Sequence, residues 1–389
     1  MDYFKWDGFP SKEKIEKALS EALKIIDRTM QRLGDGFAED ESAAGKYIPA
    51  GNVRWTAGFL TGILWISYEL TGDEKYRKLA EKHVESFIER IDKKLYVEHH
   101  DMGFLYSLSC VSAYQLTGNT RARKAALDAA DHLAARYMPK GEFINAWGIM
   151  NDENHLRSGW NFLIIDCLFN IPLLYWASEE TKDPHYKEIA KKHLATTVKY
   201  ILREDGSSYH KYVFDYDTGK PLYGGTAQGA SDDSCWARGQ AWGIGGFALN
   251  YKDTGNEDDV KCFKSVLNYY LAHLPKDKVP FWDLIFTDGD DEPRDSSSAV
   301  IVICAIMEMS KHLPADDHDI IRYKKAAGEM FNSIIDNYAA SFDMNCDGLL
   351  LHGTGSKPHN EGVDECTVYG DYFYMEAIIR SLRDWKMYW

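Results

Sequence analysis

The chain has 389 residues, 45% of them hydrophobic and only 11 of them proline, which is enough apolar mass for a large core and too much for a disordered chain. Its formal net charge of −15 repels nucleic acid and anionic membrane surfaces at long range, and its lysines lie scattered among acids, as in residues 75–83, so neither partner is expected. No apolar run reaches the roughly 18 residues of a membrane span, the N-terminal segment carries no apolar leader core, and the seven cysteines form no CxxC pair, so a cytoplasmic location with reduced thiols is expected.

The predicted helices alternate between two kinds. Residues 11–33 read as amphipathic and heavily charged, and 55–70 as apolar almost all round. The alternation continues through 73–91 and 103–116, 119–137 and 160–176, 183–203 and 238–251, 257–274 and 296–312, and 317–338 and 369–386. A helix with an apolar stripe lies on a surface, whereas one apolar on every side is surrounded by protein. Six of each predict an all-α fold of six hairpins, an inner ring of buried helices inside an outer ring of solvated ones, with residues 1–389 as one domain. Thr71-Gly72, Thr117-Gly118 and Thr254-Gly255 end apolar helices where a left-handed glycine cap is expected. The long loops 34–54, 92–102, 138–159, 204–237, 275–295 and 339–368 then fall together at the opposite end of the barrel, where a loop-walled site is expected.

Asp166 is the sole charge in the apolar run 160–176, read as a helix interior. Burial raises a carboxyl pKa, and a raised pKa suits a general acid working near neutrality; an aspartate there can also fix helix packing through a serine or arginine. Asp101, in His99-His100-Asp101-Met102-Gly103-Phe104, stands at the entrance of the second inner helix, where it reads as an ordinary N-cap or as the second carboxylate of a sugar hydrolase. The region 204–242 offers His210, Gln228, and Arg238 with Trp242 at i, i+4 on one helix face. An arginine beside a helix N-terminus suits an anion such as a carboxylate. Trp55, Trp147, Trp160 and Trp242 read as exposed rings able to stack on sugars or as core filler. Asp343–Gly348 begins like a calcium loop, but Thr354 stands where its twelfth-position glutamate belongs. No histidine or cysteine spacing fits a metal site and no phosphate-cradling loop appears, so no metal and no cofactor are expected.

Taken together, Arg54–Phe59, His99–Phe104, Asn145-Ala146-Trp147, Ile164-Ile165-Asp166, Tyr209-His210, Trp236–Trp242 and Tyr369–Tyr374 resemble the unsaturated glucuronyl hydrolases, glycoside hydrolase family 88. The resemblance spans most of the chain and implies an (α/α)6 barrel. It implies an enzyme acting on oligosaccharides left by polysaccharide lyases from chondroitin, hyaluronan or heparin, whose terminal uronate carries a C4=C5 double bond. Such an enzyme hydrates the vinyl ether, and the hemiketal formed falls apart. On matching positions, Asp166 is the general acid and Asp101 its partner, while Trp55, His100, Trp147, His210, Gln228, Arg238 and Trp242 grip the unsaturated sugar. Relatives that prefer sulfated fragments carry serines and a lysine in a loop corresponding to residues 351–358. Lys357 is the candidate sulfate ligand there, although His352 and Gly355 stand where serines would be expected. Competing readings are an unsaturated rhamnogalacturonyl hydrolase on pectin fragments, an inverting glycosidase attacking the anomeric carbon, and a non-catalytic carbohydrate-binding ring.

Overall fold

Gly72, Gly118 and Gly255 adopt φ of 70°, 72° and 62°, and each amide closes the preceding helix on a tyrosine carbonyl. Asp73, Asn119 or Asn256 follows directly and caps the next helix with its side chain. A glycine that ends one helix and an Asx residue that starts another one residue later enforce a tight reversal. The repeated Thr-Gly turns therefore make antiparallel hairpins.

The computed structural model describes residues 6–389; residues 1–5, part of the segment read as leaderless, lie outside them. The chain opens with α1 (Lys12–Leu33), the strands β1 (Phe37–Ala43) and β2 (Lys46–Ala50), then α2 (Ala57–Thr71) and α3 (Glu74–Asp92). The next inner helix is α4 (Met102–Tyr106), a π-helical segment (Ser107–Val111) and α5 (Ser112–Thr117), followed by α6 (Thr120–Ala134), β3 (Tyr137–Met138), β4 (Phe143–Ile144) and α7 (Glu153–His155). After β5 (Phe162–Ile164) come α8 (Cys167–Asn170), α9 (Pro172–Thr181), α10 (Pro184–Tyr200), β6 (Lys211–Phe214), β7 (Pro221–Gly225), α11 (Ala237–Thr254) and α12 (Glu257–Ala272). The chain continues with α13 (Ser296–Met309), α14 (His318–Ser333), β8 (Gly353–Ser356), β9 (Glu361–Glu365) and α15 (Val368–Leu382).

The inner ring closes in sequence order: α2 touches α4, α4 touches α8, α8 touches α11, then α13, then α15, which returns to α2. Close approach within this ring requires glycine: a Cβ on Gly58 would lie 2.0 Å from the Phe104 carbonyl, and one on Gly103 would lie 2.5 Å from Asn170 Cα. The outer helices α1, α3, α6, α10, α12 and α14 expose their charged faces, and the fold is the expected helical barrel.

Three predicted elements change on folding. Residues 161–166 are not helix: a π-helical segment (Leu156–Trp160) ends before them. Gly159 takes φ of 102°, Phe162–Ile164 pair antiparallel with Lys211–Val213, and helix begins only at Cys167. An apolar run carries no periodicity that separates a buried strand from a buried helix, and the partner strand decides. The second inner helix widens at Ser107–Val111, where the Ser109 and Ser112 hydroxyls bond the carbonyls of Leu105, Leu108 and Ser109, competing with the regular ladder. The last inner helix stops at Leu382, and the residues beyond fold under the barrel until the Trp389 indole stacks on Phe373 with centroids 6.0 Å apart.

Candidate active site

Five of the six long loops converge on one cleft of about 920 Å³. Arg54 comes from the first loop, Asp101 from the second, Trp147 from the third, His210 and Gln228 from the fourth, and Ser356 from the fifth to contribute, β8–β9. The loop 275–295 stands behind them and delivers Asp295 to Arg238.

Asp101 and Asp166 each occupy the position before the first helical residue, of α4 and α8 respectively, and neither caps its helix with its side chain. Asp166 therefore does not lie inside an apolar helix, as the sequence predicts, but at the end of the β5 segment where the helix starts. Both residues line the cleft. Asn170 stitches the two helix starts together, its Oδ1 accepting from the Phe104 amide at 2.9 Å and its Nδ2 donating to the Asp166 carbonyl at 3.3 Å. Asn145 does similar work one layer out, accepting from the Phe162 amide and donating to the Trp147 carbonyl. Neither asparagine carries a local sequence signal for this role, beyond Asn170 lying four residues after Asp166.

The two carboxyls sit in different electrostatic settings. Asp166 is 16% exposed at its side chain; burial pushes its pKa well above the usual carboxylate range, and the charge of Asp101 adds to the rise. Asp101 is wholly buried, which alone would raise it, but the His100 and His99 rings outweigh burial and hold it low. His99 Nδ1 lies 3.0 Å from Asp101 Oδ2, and its Nε2 lies 3.0 Å from the Tyr96 carbonyl. A proton shared by the two carboxyls therefore resides on Asp166.

His100 is not in the cleft wall. It is fully buried, with Nε2 3.3 Å from both Asp101 Oδ1 and Asp166 Oδ1, and burial pushes its pKa down to about 4. It lies beneath the carboxyl pair and outside the lining of the cleft. Among the described residues, His100, Asp101 and Asp166 are also the one histidine–carboxylate group spaced closely enough to hold a metal ion, with ligand atoms within 4.8 Å of one another.

Opposite the carboxyls, His210 accepts the Ala227 amide on Nδ1 at 3.0 Å. Burial, then the positive charges of Lys211 and Arg238, push its pKa down to about 3, so the ring is neutral with its proton on Nε2. Arg238 is buried in an ion pair with Asp295 at 2.6 Å, donates to the Thr354 and Gly355 carbonyls, and stacks over Trp236 and Tyr369. Gln228 donates to the Gly355 carbonyl at 3.1 Å, so β8 anchors two cleft residues. Trp55, Trp147, Trp160 and Trp242 all line the cleft, but they are not equally exposed: Trp242 is buried at the floor, Trp55 and Trp147 are half-buried, and Trp160 stands out. Lys357 does not line the cleft; the β8–β9 turn brings Ser356, His359 and Glu361 there instead. Sequence reasoning passed over the Arg54–Asp40 ion pair at 2.7 Å, which borders the cleft beside Trp55, and Asp295, which holds Arg238.

Residues 22–385 match the model of Glycosyl Hydrolase Family 88. The unsaturated chondroitin disaccharide hydrolase of Streptococcus pneumoniae is 43% identical, over 97% of this chain and 94% of its own length. The unsaturated glucuronyl hydrolase of Bacillus sp. strain GL1 is 40% identical, over 96% and 98%. Among solved structures, the unsaturated glucuronyl hydrolase of Streptococcus agalactiae superposes with a TM-score of 0.94 at 42% identity, covering 98% of this chain and 95% of that one. A variant of that enzyme complexed with dGlcA-GalNAc6S superposes at 0.86 with 40% identity, covering 96% and 93%.

Proposed function

The chain belongs to glycoside hydrolase family 88, and from that premise we propose that it removes the 4,5-unsaturated uronate from the non-reducing end of lyase-generated glycosaminoglycan disaccharides by hydrating the double bond. The observation that carries this reading is the carboxyl pair itself. Burial and Asp101 favour the protonated form of Asp166, which lines the open cleft, while its buried Oδ1 lies 3.3 Å from His100 Nε2 beneath the pair. A protonated carboxyl in such a setting donates to whatever the cleft binds.

In the proposed reaction the Asp166 proton goes to C4 while the double-bond electrons form the new C–H bond. The carboxylate left behind takes a proton from the water that adds at C5. The product is a hemiketal, which opens and expels the neighbouring sugar as its free hydroxyl. Asp101, ionised between His99 and His100, accepts from the ring hydroxyls, and its charge favours the protonated state that Asp166 regains from the added water. Neutral His210 donates from Nε2, and Arg238, backed by Asp295 and by the stacked Trp236 and Tyr369, presents its remaining N–H groups to the uronate carboxylate. Trp55, Trp147 and Trp242 supply the apolar faces.

The β8–β9 wall supports hyaluronan and unsulfated chondroitin fragments over sulfated chondroitin, because Glu361 is at the cleft while Lys357 is not, and a carboxylate repels a sulfate. We take residues 1–389 as one catalytic domain, with α15 closing the ring on α2. No helix among the described residues is long and apolar enough to cross a membrane, and we take the cytosol, where thiols stay reduced, as the setting. The test is incubation with an unsaturated hyaluronan or chondroitin disaccharide while following the ultraviolet absorbance of the conjugated double bond. Loss of absorbance with release of the reducing sugar is expected. Release of sugar from saturated substrate with no such loss would point instead to attack at the anomeric carbon.

A further inference from the structure

The aromatic rings of the cleft are graded by depth. Trp242 is buried at the floor near the carboxyls, Trp147 is half-buried and stacks on His99 with centroids 5.1 Å apart, and Trp160 and Tyr96 stand at the mouth, 43% and 63% exposed. Large aromatic surface left in water has lost the burial that ordinarily stabilises it. Here two such rings border the same cavity.

Both rings are held out by specific structure. Tyr96 adopts φ of 52° and Lys94 φ of 53°, a conformation that costs a bulky non-glycine residue energy and persists only where its surroundings impose it. The imposing group is Arg90, whose buried guanidinium donates to the Tyr96 carbonyl at 2.6 Å and to Asn52 Oδ1 and the Arg54 carbonyl. His99, the ring beside Asp101, takes the same Tyr96 carbonyl at 3.0 Å. Tyr96 is held through its backbone carbonyl while its side chain is 63% exposed. Trp160 follows Gly159, which turns the chain at φ of 102°, and His155 backs its indole in a stack of 4.7 Å and 24°. A buried arginine and a strained turn thus present a largely exposed tyrosine at the mouth of the cleft.

We infer that Tyr96 and Trp160 form an outer carbohydrate platform, taking the third and fourth sugars of an unsaturated tetrasaccharide whose terminal uronate sits over Asp166. The inference rests on the proposed activity and deepens it by assigning substrate length. The apolar faces of pyranose rings suit stacking on exposed aromatic rings, and the volume of about 920 Å³ lies near the upper end of the roughly 300–1,000 Å³ of clefts for drug-sized ligands. Depth fixes the order: the floor takes the reacting uronate, Trp147 the sugar it leaves behind, and the mouth the sugars beyond.

The test compares unsaturated hyaluronan disaccharide and tetrasaccharide as substrates for the whole protein. The variants are Tyr96→Asn, which removes the ring while tolerating the left-handed backbone, Trp160→Ala, and the pair of them. The ratio of kcat/KM on tetrasaccharide to that on disaccharide is expected to fall about 2- to 10-fold for each ring lost, through KM. Tyr96→Phe keeps the stacking face and should keep the wild-type ratio. An equal loss on both substrates, or an unchanged ratio in the double variant, overturns the platform. If the wild-type protein turns over neither substrate, the proposed activity has failed. Calorimetric titration with the same two oligosaccharides then decides the platform separately, by whether the tetrasaccharide's affinity advantage disappears in the double variant.

Discussion

Replacing Asp166 with asparagine keeps the shape of the carboxyl, removes its transferable proton, and separates its catalytic role from any structural one. Loss of a general acid costs about 10²- to 10⁴-fold in rate, which at 1.36 kcal/mol per tenfold is roughly 3 to 5 kcal/mol of barrier. Stability is expected to move the other way. Burial and Asp101 raise the folded-state pKa of Asp166 above its unfolded value, so the folded protein holds this proton more tightly than the unfolded chain. Its contribution to stability is fully present below the unfolded pKa and is lost as pH rises through the folded pKa. The neutral amide escapes that loss, so Asp166→Asn should be at least as stable as wild type at neutral pH, with the difference vanishing toward pH 3. Each unit of pKa elevation is worth about 1.4 kcal/mol. For 389 residues the unfolding entropy is about 0.8 kcal/mol/K, so each unit moves Tm by roughly 2 °C. The assays are absorbance loss on an unsaturated disaccharide and thermal unfolding between pH 4 and 8. Activity within tenfold of wild type would refute the assignment of the acid. A variant markedly less stable at neutral pH would show instead that Asp166 is ionised and holds the fold through its charge.

Three other outcomes follow from the same geometry. Asp101→Asn removes the negative charge that helps hold Asp166 protonated, so the residual activity, lower by about 10²-fold or more, should show its alkaline limb at lower pH than wild type; an unmoved limb in the pH–rate profile would uncouple the two carboxyls. Asp295→Ala leaves the buried Arg238 guanidinium without its ion-pair partner at a cost of about 3 to 5 kcal/mol, the lower end being expected because the Thr354 and Gly355 carbonyls remain; denaturant unfolding measures it, and an effect below 1 kcal/mol would show that those carbonyls suffice. Unsulfated chondroitin disaccharide should be hydrolysed with higher kcat/KM than its 6-sulfated counterpart, and Glu361→Gln should narrow the gap, whereas a preference for sulfate would show that Lys357 reaches the substrate after all.

The helices were legible because their signal is local. A 3.6-residue apolar stripe or its absence sorts outer helices from inner ones, and the Thr-Gly-Asx turns at 71–73, 117–119 and 254–256 encode hairpins within three residues. Asp166 was legible for the same reason, as one charge among Phe, Leu and Ile. Its setting was not: whether residues 160–176 are helix throughout depended on Phe162–Ile164 finding Lys211–Val213 some fifty residues away, and that pairing turns an aspartate inside a helix into one poised at its start. His100 shows the same limit, since the sequence places it beside Asp101 but only the packed barrel buries it beneath both carboxyls. The positioning roles of Asn170, Asn145 and Asp295 were not legible, because a positioning residue is defined by what it touches. Periodicity and turn chemistry thus specified by sequence alone a helical double ring, and the isolated charge singled out Asp166 as its candidate acid. Tertiary structure alone decided which carboxyl keeps the proton, because pKa is set by burial and by neighbouring charges, and those come from chain segments that meet only when the ring closes.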